Sequence, residues 1–268
     1  MHPTGVQEAY TNLRVALDGA ELEVLAIPPS RSECPTLLFL HEGLGSAALW
    51  KDFPKVLASR TGWGAVVYSR RGNGFSSPLA RPRNARYMHD EALVVLPALL
   101  AALRVEEPVL VGHSDGASIA LIYAGEHPGS VRGLVLEAPH VFVEELSLHG
   151  IAAIRGVYDR GGLRARMAPH HADVDRTFYG WNDVWLSAEF REWNVESYVE
   201  RVRAPVLALQ GLEDEYGTLA QLESIARRAP APVDRIVLAR CGHAPHRERH
   251  VLVEAAVAAW LHEKGRPL

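Results

Sequence analysis

The sequence is short of several things, and each shortage removes a class of protein. Only two cysteines, Cys34 and Cys241, occur in 268 residues. That excludes a secreted framework of several disulfides and leads to the expectation of two reduced thiols in a cytoplasmic protein. No apolar stretch approaches the ~20 residues that a membrane-spanning helix needs. Met1 to Tyr10 lacks the basic start and apolar run of a secretory leader. A soluble chain with no membrane partner is expected. Basic residues are not in surplus either: 28 Lys and Arg stand against 32 Asp and Glu, a formal charge of −4. Binding to phosphate backbones shows as a basic surplus or stripe, so no nucleic-acid partner is expected. Arg70-Arg71 and the arginines between Arg155 and Arg166 read as solvated faces or local ion pairs. Internal repeats and low-complexity segments are also lacking. What is present is 48% hydrophobic and 22% charged residues. That is enough apolar material for one generous domain, or a core domain with an insertion, needing no disulfide or structural metal.

The pattern begins as a β-hairpin, with Leu13 to Leu17 and Leu22 to Ile27 flanking Asp18-Gly19, a strong tight-turn signal. Beyond Pro28-Pro29-Ser30 it becomes strands alternating with helices. Short apolar runs at Thr36 to Leu40, Ala65 to Tyr68, Val109 to Val111, Leu134 to Leu136, Val206 to Leu209 and Arg235 to Leu238 read as strands. Between them, helical spacing predicts helices over Ala48 to Ala58, Tyr87 to Leu103, Asp115 to Ala124, Leu219 to Arg228 and Val251 to Leu261. Pro97 should kink or split the second of these. Continuous Val/Leu runs between helices mean a mostly parallel sheet with both faces covered, an α/β fold. Residues 143–202 break the rhythm. They hold no convincing buried strand and gather Phe178, Tyr179, Trp181, Trp185, Phe190, Trp193 and Tyr198. A helical cap over 143–202 is expected, inserted into a core made of 1–142 and 203–268, with Trp181 and Trp185 lining an apolar pocket.

The sharpest chemical signal is Val109-Leu110-Val111-Gly112-His113-Ser114-Asp115-Gly116-Ala117-Ser118, a buried strand, Gly-x-Ser-x-Gly, and a helix of small residues. A serine on a strand-to-helix turn has a strained backbone, and small residues two before and two after it let neighbouring chain pass close. The hydroxyl then projects at the carboxyl end of a central strand, above a helix N-terminus that supplies N–H groups. Serine needs a base at neutral pH, and the base needs an orienting acid. Among 13 histidines, His243 sits in the loop between the last strand and the closing helix. Glu213, Asp214 and Glu215 compete as the acid in the loop after Val206 to Leu209. Loops that follow parallel strands converge on one sheet edge, where ligands bind.

Over essentially its whole length the chain resembles the α/β-hydrolase superfamily, in particular its lid-bearing esterases, enol-lactonases and meta-cleavage-product hydrolases. That resemblance implies the order Ser, acid, His, met by Ser114, Asp214 and His243. It selects Asp214 through the Gly-x-x-Asp pattern at Gly211, and His243 through Gly242-His243. It also implies an oxyanion loop in His41-Glu42-Gly43-Leu44-Gly45-Ser46, where the backbone N–H of Gly43, or alternatively Leu44, would join that of Asp115. Leu44 is a further pocket candidate. Ser69-Arg70-Arg71-Gly72-Asn73-Gly74-Phe75-Ser76 resembles the family's Arg-Gly-x-Gly-x-Ser loop, normally structural. It is not a dinucleotide fingerprint, because Ser77 stands where a third glycine is required. Glu42 departs from the pattern, since many relatives carry glycine there. A carboxylate aimed at an oxyanion would oppose catalysis, so Glu42 is expected to point away and pair with a basic group such as Arg70, or else to lie plainly on the surface.

Other clusters weigh less. His246 and His250 share a helical spacing, but the Glu of a His-Glu-x-x-His site is missing and two arginines intervene, so no metal is expected. His170-His171 beside Asp173 reads as a surface pair, with a polar role in the pocket for one of them as the alternative, and Arg191-Glu192-Trp193 reads as an amphipathic helix face. The leading expectation is a serine hydrolase of small carboxylic esters, lactones or thioesters, acting through an acyl-enzyme on a small-molecule substrate and needing no cofactor. The alternatives are carbon–carbon hydrolysis of ring-cleavage products by the same triad, and a non-catalytic small-ligand receptor on the same fold. A serine nucleophile excludes the carboxylate-dependent dehalogenases and most epoxide hydrolases of this fold.

Overall fold

The computed structural model describes residues 10–264. Residues 1–9, which carry nearly all of the stretch read for a leader, lie outside them. The hairpin forms as β1 (Thr11–Leu17) and β2 (Ala20–Ile27), turning through Asp18 and Gly19 at φ 46° and 72°. Positive φ at both turn residues is the geometry that suits Asp-Gly. Then come β3 (Thr36–Leu40), α1 (Phe53–Thr61), β4 (Gly64–Tyr68), α2 (Tyr87–Asp90), α3 (Leu96–Leu103), β5 (Val109–His113), α4 (Asp115–Glu126) and β6 (Gly133–Glu137). After a run of helices follow β7 (Val206–Gly211), α9 (Ala220–Arg228), β8 (Val233–Leu238), α10 (Pro245–Glu248) and α11 (His250–Lys264). The eight strands make one sheet in the order β1-β2-β4-β3-β5-β6-β7-β8. Only β1 and β2 run antiparallel to their neighbours, and from β4 across to β8 the pairing is parallel.

Alternate residues of each central strand enter different cores. Leu38, Leu40, Leu110, Leu134, Leu136, Val206 and Ala208 pack on one face. Leu37, Phe39, Val109, Val111, Val135, Leu207 and Leu209 pack on the other, against α1 and α11. Both faces are dry, which is why these strands read as unbroken apolar runs rather than as alternation.

Two helix expectations change in detail. Residues 48–58 do not form one helix: a 3₁₀ turn at Ala47–Trp50 ends where Lys51 turns to φ 52°, and α1 starts at Phe53 with Pro54 in its first turn. The segment from Tyr87 to Leu103 stays helical but passes through a π-turn at Glu91–Val95 before Pro97. A proline lacks the N–H that would bond the carbonyl four residues back, and a π-turn absorbs that loss.

Between β6 and β7 the chain is helical: α5 (Glu145–Asp159), α6 (Gly162–Met167), α7 (Val174–Trp185) and α8 (Glu196–Val199), with 3₁₀ turns between them. Trp181, Trp185, Phe190 and Trp193 join the core on the β3–β7 face, while Tyr158, Met167, Val174 and Phe178 make a small core of their own. No helix among the described residues is long and apolar enough to cross a membrane.

Candidate active site

The carboxyl ends of β3, β5, β6 and β7 and the loop after β8 meet at a pocket of about 260 Å³. β5 delivers Ser114 there. Its backbone sits at φ 53°, ψ −118°, a region that costs a non-glycine residue on the order of 1–3 kcal/mol. The flanking glycines are steric requirements. A Cβ on Gly112 would meet the Gly116 carbonyl oxygen at 2.5 Å, and one on Gly116 would run into the Leu40 carbonyl. The carbonyl of Ser114 accepts from the N–H groups of Ala117 and Ser118 at 2.9 and 3.1 Å, so α4 starts directly beneath the serine.

His243 lines the same pocket. Its Nδ1–H donates to Asp214 Oδ1 and Oδ2 at 2.8 and 2.9 Å. Asp214 is fixed in turn by the Tyr216 N–H at 2.8 Å and by Gln210 Nε2 at 2.5 Å. Burial opposes its ionisation most, yet the hydrogen bond and charge of His243 and the Tyr216 N–H outweigh burial and hold the carboxyl below its usual range. Glu213 and Glu215 are exposed, and neither takes the imidazole. Gly211 is needed where β7 passes the His243 loop, because a Cβ there would collide with the carbonyls of Cys241 and Gly242. Among the described residues no hydrogen bond joins Ser114 Oγ to His243, although both line the pocket.

The loop after β3 carries Gly43 and Leu44 to the pocket wall. Arg70 grips it from behind, donating through Nη2 to the Glu42 carbonyl at 2.9 Å and through Nη1 to the His41 carbonyl. A trans peptide sets C=O and N–H on opposite sides, so fixing the Glu42 carbonyl fixes the opposed direction of the Gly43 N–H. Asn73 Nδ2 donates to the carbonyls of Gly43 and Gly45 at 3.2 and 2.9 Å. The indole of Trp181 lies on Gly43 where a Cβ would otherwise be, its Nε1–H buried without a partner. Trp185, also in the wall, donates to Tyr87 Oη at 3.0 Å and to Asp115 Oδ1 at 3.3 Å.

Glu42 does not pair with Arg70. The Arg70 guanidinium faces Asp115 at 3.8 Å, while Glu42 Oε2 lies 3.6 Å from His113 Nδ1 and lines the pocket. Arg70 is spent on backbone carbonyls, which leaves His113 as the base beside Glu42. Burial works against the Glu42 charge, but the adjacent His113 and the nearby His41 overcome it and hold the carboxyl well below the usual range. His113 responds in kind. Burial lowers its pKa, and Glu42, Glu137 and the His243 carbonyl together raise it overall. Its Nε2–H donates to the His243 carbonyl at 2.6 Å. Through Nε2 His113 therefore supports the loop that carries His243, while its Nδ1, buried without a hydrogen bond, faces the Glu42 carboxylate at 3.6 Å.

Four residues play parts that sequence reasoning missed. His171, read as half of a surface pair or else as a polar residue of the pocket, is buried. It accepts the Gly74 N–H at 3.0 Å and donates through Nε2 to the Leu44 carbonyl at 3.0 Å, tying the helical segment to the loop after β3. His140 follows β6 and lines the pocket 5.7 Å, ring to ring, from His243. Its position after a parallel strand was the available signal. Glu137, buried at the end of β6, accepts from the N–H and Nδ1–H of His246 at 3.0 and 2.7 Å. His246 is thus engaged with a carboxylate, and no group of metal-binding side chains occurs among the described residues.

Residues 35–172 match the family model described as alpha/beta hydrolase fold. The chain is 33% identical over 224 residues to a proline iminopeptidase of Lactobacillus helveticus, covering 69% of this chain and 76% of that one. Among solved structures, the proline iminopeptidase of Mycobacterium smegmatis superposes with a TM-score of 0.77 at 21% identity, covering 95% of this chain and 98% of that one. The enol-lactonase of Burkholderia xenovorans LB400 does so with a TM-score of 0.73 at 16% identity, covering 93% and 100%.

Proposed function

The chain belongs to the α/β-hydrolase fold family, and from that premise we propose that it is a serine hydrolase cleaving a small carboxylic ester, lactone or thioester through an acyl-enzyme. The observation that carries this reading is Ser114, held at φ 53° at the head of α4 in the pocket that the Asp214-bound His243 also lines. His243 Nε2 takes the Ser114 proton as Oγ bonds to the substrate carbonyl carbon. The tetrahedral oxyanion accepts the N–H groups of Gly43 and Asp115, donors worth roughly 2.7–4 kcal/mol each in another hydrolase. The C–O or C–S bond then breaks as His243 returns the proton to the leaving group. Water, deprotonated by the same imidazole, releases the acid and restores Ser114. Asp214 stays ionised and stabilises the imidazolium.

Helices α5 to α8 act as the cap in this reading, with Trp181, Trp185, Ile151, Ile154 and Leu163 bounding the acyl site. The charges around it disfavour an anionic substrate. Glu42, Glu215 and Glu248 line the pocket against one cation, Arg247. A ring-cleavage dienoate, the substrate of the carbon–carbon alternative, would bring its carboxylate among these acids, so the ester reading is the better supported. Intact-protein mass spectrometry after mixing with a short-chain p-nitrophenyl ester tests the mechanism. A transient mass gain equal to the acyl group, released with free acid and absent in Ser114→Ala, is expected. Ester turnover that persists in Ser114→Ala would overturn it.

A further inference from the structure

One wall of the catalytic pocket is almost wholly apolar. Ile151, Ile154, Leu163, Trp181 and Trp185 supply it, while the charged residues Glu215, Arg247 and Glu248 are exposed. Neither indole N–H is free to meet a substrate. Trp185 donates to Tyr87 and Asp115, and Trp181 Nε1 is buried against Gly43. A single imidazole interrupts this wall. His140, 2% exposed, packs edge-on against Trp185 at 5.3 Å and lies 5.7 Å, ring to ring, from His243.

The fold fixes the backbone of His140 firmly. Ala138, two residues earlier, stands at φ 47°, a conformation that is costly for a non-glycine residue and persists only where the surroundings over-determine it. The His140 carbonyl accepts from Ser118 Oγ at 2.6 Å. The next residue, Val141, donates its N–H to Gln221 Oε1 at 2.8 Å and accepts the Val195 N–H at 2.8 Å. The ring, by contrast, is unpaired. Nδ1 is buried without a partner, on the side where Gly217 passes. A Cβ on Gly217 would stand 3.7 Å from Nδ1 and 3.6 Å from Gln210 Nε2. That amide nitrogen is itself a donor, so Nδ1 is the bare nitrogen of the ring and Nε2 carries the proton. Nε2 makes no hydrogen bond among the described residues and is not buried away as Nδ1 is, so the ring turns this edge to the pocket. Burial first, and then the charge of His243, bring the pKa down to about 3. The ring is therefore neutral at working pH and exerts no charge attraction on a carboxylate.

From this unpartnered, pocket-facing N–H we propose that His140 is a specificity residue, selecting an acyl group that carries a neutral acceptor oxygen close to the scissile carbonyl. A hydroxyl, ether or keto oxygen meets that description. Trp185 beside His140 places the contact on the acyl side, and the nearness of His243 places it close to the reacting carbon. An apolar pocket takes its specificity from a few such polar groups. A carbon isostere would leave the buried N–H unpaired, which is the kind of mismatch that a polar site rejects well. This inference rests on the ester-hydrolase reading.

Two esters that share a leaving group test it, p-nitrophenyl methoxyacetate and p-nitrophenyl butyrate, which differ by an ether oxygen in place of a methylene. With each kcat/KM divided by the hydroxide-catalysed rate of the same ester, the wild type should prefer the methoxyacetate by about tenfold or more. His140→Leu and His140→Phe should bring that ratio down to about one through loss on the methoxyacetate alone. His140→Gln, which keeps a donor, should recover part of it. A wild-type ratio near one overturns the inference and requires no variant to fold. A folded His140→Leu that slows both esters equally also overturns it, because a purely structural role gives that result. Saturation-transfer NMR with ethyl methoxyacetate and ethyl butyrate on Ser114→Ala keeps the two readings apart. Binding should favour the methoxyacetate, and the preference should vanish in Ser114→Ala/His140→Leu. That preference without turnover of either ester by the wild type would contradict the hydrolase reading alone. Turnover of both esters with no preference would contradict the role of His140 alone.

Discussion

At the scale of single residues, the site is built from side chains held in conditions they would not choose. Ser114 keeps a backbone conformation that glycine adopts freely, so Ser114→Gly should raise unfolding stability by up to about 1 kcal/mol while abolishing turnover. Urea titration checks this, and a less stable variant would mean the turn is not strained. Ser114→Ala and His243→Ala should each cost on the order of 10⁴–10⁶ in kcat, and the double variant should be little worse. Glu42→Gln bears on the loop departure. With the carboxylate engaged by His113, kcat should not rise, and an increase of about tenfold would show that the charge opposes the oxyanion.

His140 supplies a pH signature at the same scale. Burial first, and then the charge of His243, bring it down to about 3, whereas in the unfolded chain it titrates near 6.5. Its contribution to stability is therefore full above about pH 6.5 and falls as pH drops from there towards 3. His113, raised in the fold, has the opposite sign: its contribution is present below about 6.5 and lost as pH rises through its folded value. Unfolding measured at about pH 7 and about pH 5 should show a smaller acid loss in His140→Asn than in the wild type. An equal loss would mean that His140 takes up its proton in the folded state.

At the scale of elements, close backbone crossings govern. Gly116→Ala drives a methyl into the Leu40 carbonyl and Gly211→Ala into those of Cys241 and Gly242. Each should cost several kcal/mol, on the order of 3 or more. Gly129, at φ 87° with open space around it, should lose only about 1 kcal/mol on change to Ala. Thermal melts of the three variants check the contrast.

The strands were legible because burial on both faces writes itself as short Val/Leu runs, and the serine turn because its glycines are steric necessities. The order of site loops followed from strand ends sharing one edge. What stayed illegible depends on pairs far apart in the chain. Glu137 with His246, His171 with Leu44 and Gly74, and Glu42 with His113 are tertiary contacts with no local period. The break at Lys51 was hidden for a different reason: Trp50 and Phe53, on either side of it, enter the same core, so the apolar spacing runs on across the interruption.

At the scale of the whole molecule, the helices between β6 and β7 are not a detachable unit. Trp185, Phe190 and Trp193 share one apolar core with Leu110 and Leu136 of the central strands, so opening them exposes the sheet. Calorimetry should show one cooperative transition, and two resolved transitions would mean that α5–α8 melt independently. Whether this fold assembles an activated serine at one sheet edge is read out by mass spectrometry after treatment with a fluorophosphonate. One stoichiometric adduct on Ser114 is expected, lost in Ser114→Ala and sharply slowed in His243→Ala. Folded protein that takes no label, or takes it on another residue, would contradict it.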